Sequence, residues 1–392
     1  MAGVDTQVAI IGGGVVGAGV AHALARRGVE AVLLEAEQEL ALGASGANSG
    51  ILHTGFDSPP GELETRLILR SAELREELLG ELGVTVWRCG AHLSPRDGQE
   101  RAGVLALAQN ARANRVEVDL EEDGSLRVPG EGVTDPVAFV LALAGAAQAG
   151  GARVRLGARV CALAGLPEGG VALELKGGER LLAGAAVNCA GLFADEVAHM
   201  AGDAGLEIYP RKGEFLVFSP PPGCSLRRIL LPVPSALGKG VLVFPTVDGH
   251  VIAGPTARER EDKHDWSVEA DARELILTKA RGMWPALERL EPTGAYAGLR
   301  PAGRGANYVI EHSPTVPAVI HVAAIRSTGL SASLGIGEHV TGMLAEQAAV
   351  ELDPVRELPA PAREAAGSPW WRRAELHQRG GLPAQDAQTD AG

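Results

Sequence analysis

The stretch from Val8 to Glu37, VAIIGGGVVGAGVAHALARRGVEAVLLEAE, decides the reading of this 392-residue chain. Val8 to Ile11 is a short apolar run suited to a buried parallel strand. Ala18 to Arg27 has no helix breaker after Gly19, and Val29 to Leu34 is a second apolar run that ends on Glu35. A dinucleotide site needs each of these parts in this order. Gly12 permits the tight turn, Gly14 lets the backbone approach a pyrophosphate, and Gly17 lets the helix lie close on the sheet. The helix N-terminus offers unpaired N–H groups and the positive end of its dipole to phosphates. Glu35 stands where a carboxylate accepts hydrogen bonds from ribose hydroxyls. The motif alone suits FAD and NAD equally.

Length points to about two domains, and 46% hydrophobic residues are ample for sizeable cores. A formal net charge of −13 argues against a nucleic-acid partner while leaving room for a local cationic pocket that takes an acidic substrate. Cys89, Cys161, Cys189 and Cys224 show no paired spacing, so neither a metal site nor a disulfide framework is indicated, and free thiols in a reducing compartment are expected. No basic segment precedes the first apolar run, and no apolar run is long enough to span a bilayer. The expectation is a cytoplasmic protein, at most peripheral to the inner face of the membrane.

Beyond the opening unit, helical spacing of Leu63, Leu67, Leu74 and Leu78 marks a long amphipathic helix over 62–82. Further helices are expected over 101–114, 136–148, 269–283 and 337–351. Strands separated by Pro/Gly turns fill 209–256, and the composition beyond Pro359 drifts toward Pro, Ala, Gly, Gln and Asp, as in a poorly ordered tail. This order implies interleaving. Residues 1–84, 135–205 and 298–358 form the nucleotide domain, 85–134 and 206–297 a β-rich substrate domain, and 359–392 a partly disordered tail. The site is then expected between the two domains.

Several segments together resemble the D-amino-acid-oxidase superfamily of FAD enzymes, in particular its glycerol-3-phosphate oxidases and dehydrogenases and its L-2-hydroxyglutarate oxidases. They are GASGANSGILHTGFDSPPGELETRL (43–67), VNCAGLFADEVA (187–198), PRKGEF (210–215), FPTVDGHVIAGPTARERED (244–262), GLRPAG (298–303), YVIEHS (308–313) and IRSTGLSASLGIGEHV (325–340). The resemblance implies an α/β fold, with a Rossmann-type FAD-binding domain interleaved with an α+β substrate domain. It also implies oxidation of a small anionic secondary alcohol, glycerol 3-phosphate or L-2-hydroxyglutarate, with a glycine-oxidase-like amine oxidase third. A non-catalytic FAD subunit that relays electrons is the alternative from another class, and His53 and the arginines argue against it. The electron acceptor can be oxygen, a quinone or another protein. The paired-cysteine C-terminal domain of the long dehydrogenases of this group has no counterpart in this sequence.

Ser45, Asn48, Ser49 and Gly50 form a small polar loop able to wrap a pyrophosphate and to approach a flavin ring, although an ordinary surface turn has the same chemistry. Val160 resembles the family's strand position beside adenine, and Ala190–Gly191 its second glycine turn. Ser327, Thr328, Gly329, Leu330 and Ser331 resemble the loop against the isoalloxazine, followed by a helix expected to begin near Gly335. His53, after the NSG loop, is the candidate base for the hydroxyl proton. A structural histidine and a covalent flavin attachment are the other readings of that position. With no cysteine after Cys224 for a cysteinyl linkage, noncovalent FAD is expected. Arg300 in GLRP and Arg326 in RSTGLS are candidates to grip a substrate anion, with a structural salt bridge as the alternative for each. Lys212 and Lys263 resemble lysines near the substrate entrance.

Overall fold

The apolar runs that open the chain become the middle of a parallel sheet in the computed structural model, which describes residues 3–234, 240–347, 349–361 and 368–379. β1 (Thr6–Ile11) leads through α1 (Val15–Arg26) to β2 (Ala31–Leu34). β1 pairs in parallel with β2 on one edge and with strand Arg180–Asn188 on the other. Strands Arg153–Arg155 and Val319–Ala323 extend the parallel array outward on either side. An antiparallel pair, Val160–Gly165 and Val171–Leu175, joins the N-terminal half of Arg180–Asn188, and Val309–His312 completes eight strands. Alternation along β1 sends Val8 and Ile10 into the core beneath α1 and sends Ala9 and Ile11 into a second core on the opposite face. Burial on both faces is why these strands read as uninterrupted apolar runs.

A second sheet of nine strands is built on Ile208–Phe218, which pairs antiparallel with Gly294–Gly303 from Ile208 to Val217. Helix Ala270–Met283 covers one face, where Ile276 and Ala280 pack on Leu216, Phe218 and Val243. The other face contributes Phe215, Phe244 and Tyr296 to the same core that holds α1. Within 85–134 the chain is more mixed than a β-rich block. Helix Gly98–Ala113 occupies its centre, and Val86–Trp87 and Gly132–Thr134 form a small sheet with Ile51–Leu52.

Two expectations are corrected. The late helix runs Gly329–Glu346, eight residues earlier at its start than the sequence suggested. The glycines of its first turns are contact surfaces. A Cβ on Gly337 would lie 2.5 Å from the Gly19 carbonyl oxygen of α1, and one on Gly335 would lie 2.4 Å from that of Leu67. Tertiary packing therefore overrides propensity. The tail is also not uniformly loose. Helix Trp370–Gln378 buries Trp370 and Trp371, sets Trp370 edge-on to Tyr296, and bonds Gln378 to both backbone groups of Ala297. The rest of the expected disorder, over 362–367 and 380–392, lies outside the described residues. Among the described residues no helix is long and apolar enough to cross a membrane.

Gly337→Ala separates packing from propensity. Helix propensity alone raises stability by about 1 kcal/mol, whereas forcing a methyl into the α1 backbone costs about 1–3 kcal/mol. A lower melting temperature is expected in a thermal melt, and a higher one would mean that the two helices part freely.

Candidate active site

The turn after β1 is confined by backbone on two sides. Gly12 has φ +112°, and a Cβ there would stand 2.4 Å from the Cys189 carbonyl oxygen. A Cβ on Gly17 would stand 2.0 Å from the carbonyl oxygen of Gly12, so Gly17 holds α1 against the strand and does not itself line the cavity. Gly14 is the N-cap of α1, with no side-chain cap and no acid in the first turn. The positive end of α1 therefore stays open to an anion. Glu35, directly after β2, accepts hydrogen bonds from Gly13 N at 2.7 Å and Glu37 N at 2.9 Å. Gly13 was not singled out from the sequence, yet a Cβ there would collide with Leu40 and with Glu35 itself.

This turn opens into a cavity of about 600 Å³ between the carboxyl ends of the parallel strands and the nine-stranded sheet. Gly12, Gly14, Glu35, Ser45, Asn48 and Ser49 line it. So do Val160, Ala190 and Gly191 on the neighbouring strand ends, and Ser327, Thr328, Gly329 and Leu330 at the start of helix Gly329–Glu346. Gly50 and Ser331 lie behind the wall. Gly50 turns the chain with φ +73° and donates to Asn48 Oδ1 at 2.9 Å, while Ser331 Oγ accepts from His53 N at 2.8 Å. Ser45 Oγ is already engaged, accepting from Val15 N at 2.9 Å. An elongated phosphate-bearing cofactor fits these residues. The uncapped helix start, the acid beside it and a wall where side chains would fill the space are the features of an FAD cradle.

The far end of the cavity is cationic. Arg300 projects from strand Gly294–Gly303 and donates to three carbonyls: from Nε to Arg211 O at 2.9 Å, and from Nη2 to Lys212 O at 3.2 Å and Thr256 O at 2.8 Å. Burial, then the neighbouring guanidiniums of Arg211 and Arg326, lower its pKa to about 10. Arg326 is exposed at the cavity and has no side-chain hydrogen bond or ion pair among the described residues. The salt-bridge alternative thus finds no carboxylate at either arginine; Arg300 is instead tied to backbone.

Arg211 lines the same cavity, and sequence reasoning missed it in favour of its neighbour. In a strand, adjacent residues face opposite ways. Lys212 turns from the cavity to a fully buried position where Nζ donates to Asp265 at 2.8 Å and Ser267 at 2.8 Å, which corrects its placement at an entrance. Lys263 does reach the wall, but Asp195 holds it through both carboxylate oxygens at 2.7 and 2.9 Å.

His53 lines the cavity with its ring partly exposed, and its Nδ1 lies 2.9 Å from Oε2 of the fully buried Glu131. Oε1 of Glu131 accepts from Thr54 N at 2.7 Å and Thr54 Oγ1 at 2.9 Å. Arg75 ties the same loop down by donating to His53 O at 2.9 Å and Ser331 O at 3.2 Å. Glu131 went unnoticed in the sequence because no local pattern marks it. The pairing of Ile51 with Val133 and Leu52 with Gly132, continued by one residue, sets His53 opposite Glu131.

Comparison with known proteins agrees with this architecture. A glycerol 3-phosphate dehydrogenase of Caloramator mitchellensis is 31% identical over 362 residues, covering 86% of this chain and 73% of the relative. An L-2-hydroxyglutarate dehydrogenase of Escherichia coli strain UMN026 is 29% identical over 290 residues, 68% of each chain. The structure of dithionite-reduced L-alpha-glycerophosphate oxidase from Mycoplasma pneumoniae with FAD bound superposes with a TM-score of 0.83 at 24% identity, covering 91% of this chain and 98% of that one. Residues 7–343 match the family described as FAD dependent oxidoreductase. With the match spanning most of the chain and all of the cavity lining but His377, the chain belongs to the DAO family of FAD-dependent oxidoreductases.

Proposed function

We propose that this enzyme oxidises a small anionic secondary alcohol, glycerol 3-phosphate, to the corresponding ketone, dihydroxyacetone phosphate. One observation carries the reading: His53 and the guanidiniums of Arg211, Arg300 and Arg326 share one cavity with the glycine turn. FAD, held noncovalently by the Gly12–Gly17 turn, Glu35 and the 45–49 loop, supplies a two-electron acceptor when bound.

The chain's own residues do the rest. With Nδ1 facing Glu131, His53 has Nε2 left to accept the substrate hydroxyl proton, and an imidazole suits that task near neutral pH. Guanidiniums crowded together, with no ion pair at Arg211, Arg300 or Arg326 among the described residues, need a counter-anion, and a phosphate monoester meets that need through paired hydrogen bonds. Arg300 is held rigidly by its three carbonyls and presents its remaining Nη1 as a fixed donor. Arg326 and Arg211 close on the anion from the other walls. The same arrangement suits L-2-hydroxyglutarate, whose second carboxylate would take the place of the phosphate, and the 29% identical relative named for that substrate favours it as the second reading. The electron acceptor is oxygen, a quinone or a protein.

Four outcomes are expected. Purified protein is expected to be yellow, to be bleached anaerobically by glycerol 3-phosphate rather than by glycerol, glycine or 2-hydroxyglutarate, and to release its flavin into the supernatant on acid precipitation. Flavin in the pellet would overturn noncovalent binding, and bleaching by L-2-hydroxyglutarate alone would move the assignment to the second reading. His53→Gln is expected to keep FAD and slow flavin reduction about 10²–10⁴-fold in anaerobic stopped flow; an unchanged rate would return His53 to a structural role. Arg326→Ala and Arg211→Ala are each expected to cost about 2–5 kcal/mol in kcat/KM for glycerol 3-phosphate and far less for glycerol. Equal losses on both substrates would refute anion binding. Arg300→Ala is expected also to lower the melting temperature, because it strands three carbonyls.

A further inference from the structure

We infer that Glu131 fixes the tautomer of His53 and aims its Nε2 into the cavity, which makes Glu131 the positioning residue for proton removal; the inference rests on the base role proposed for His53. Glu131 is fully buried, its Oε1 already takes two donors from Thr54, and an ionised carboxylate acts only as an acceptor. The His53 nitrogen that faces it must therefore carry the hydrogen, which assigns the proton to Nδ1 and leaves the Nε2 lone pair open to the cavity. In the transfer the substrate O–H bond breaks, an N–H bond forms at Nε2, and the electron pair stays on the substrate oxygen. The imidazolium that results is stabilised by the carboxylate behind it.

The surroundings hold this pair as one unit. Thr54 grips Oε1 through backbone and side chain, Ser331 holds the His53 amide, and Arg75 holds the His53 carbonyl. Two further ionisable groups feel the carboxylate: Arg75 as a favourable counter-charge, and the Cys89 thiol, whose pKa burial, together with Glu131, raises to about 11. A purely structural carboxylate would need only its Thr54 contacts and the counter-charge of Arg75. The second oxygen is spent on the ring of His53, which lines the cavity with Arg211, Arg300 and Arg326, as do His264 and His377.

Glu131→Gln tests this with a nearly isosteric change. The amide oxygen can still accept from Thr54, while its NH₂ must face Nδ1 as a donor and so drives the ring proton to Nε2. A carboxylate-to-amide change behind a catalytic imidazole lowers turnover about 10⁴-fold in the hydrolase triad through that inversion. The variant is expected to retain FAD, its melting temperature and the substrate concentration for half-maximal reduction, while anaerobic flavin reduction by glycerol 3-phosphate slows at least about 10²-fold. In the His53→Gln background the same change is expected to cost nothing further, since it acts through the ring; a loss that multiplies across both substitutions would overturn the proposal. Nitrogen-15 imidazole spectra of the FAD-loaded wild type, with His53 assigned by its absence in His53→Gln, are expected to report the Nδ1–H form. An Nε2–H ring would overturn the proposal whether or not the Glu131 variant folds. Should no alcohol in the panel reduce the wild-type flavin, the functional reading fails, and the tautomer measurement still decides the role of Glu131.

Discussion

Backbone-to-backbone contact at the first glycine turn is the constraint from which the rest of the site follows. Gly12 lies against Cys189 at the end of a neighbouring strand, and Gly17 lies against Gly12. These two approaches fix the start of α1 relative to the ends of the parallel strands. Gly19 and Gly337 then let helix Gly329–Glu346 press on α1 at backbone distance. The beginnings of both helices, at Gly14 and at Thr328–Gly329, consequently reach the same cavity. Larger side chains at these contacts would separate the helices and move two positive dipole ends away from a single ligand.

Charge is organised against the average of the molecule. A chain with a net charge of −13 concentrates Arg211, Arg300 and Arg326 on one cavity while pairing its nearby lysines elsewhere. Lys212 is drawn to Asp265 and Lys263 to Asp195, so neither offers an unpaired charge. Burial first, and then the neighbouring guanidiniums of Arg211 and Arg326, depress the pKa of Arg300. Rigid tethering to three carbonyls lets Arg300 keep its place despite that repulsion.

Features governed by short-range sequence were legible. The β1–α1–β2 unit, Glu35 and the polar 45–49 loop needed only local pattern and glycine chemistry, whereas the strand ends at Val160 and Ala190 were singled out by family resemblance. What depended on packing was harder to read. The late helix, expected from Gly335 or Gly337, starts at Gly329, where its glycines pack closely on their neighbours, and Trp370 and Trp371 gain their meaning from Tyr296 and Asp248 across the fold. The choice of Lys212 over Arg211 came from resemblance, without strand parity. One residue of alternation decides which of the two meets the cavity.

The His53–Glu131 pair marks the limit of local reading most sharply. Its three supporting positions, Thr54, Arg75 and Ser331, come from a loop and two helices, and Glu131 itself comes from a strand border. No window of sequence contains them together. They meet because a two-residue strand at Ile51–Leu52 finds Gly132–Thr134, and because helix Leu63–Glu81 packs on Gly329–Glu346. Antiparallel register then does what a motif does elsewhere: once Ile51 is opposite Val133, a residue opposite His53 is fixed, and its identity as glutamate gives the imidazole a defined hydrogen-bonding state. Among the described residues the smallest sheet therefore carries the geometry on which the proposed proton transfer depends, and Arg75 and Ser331 anchor the His53 backbone beside it.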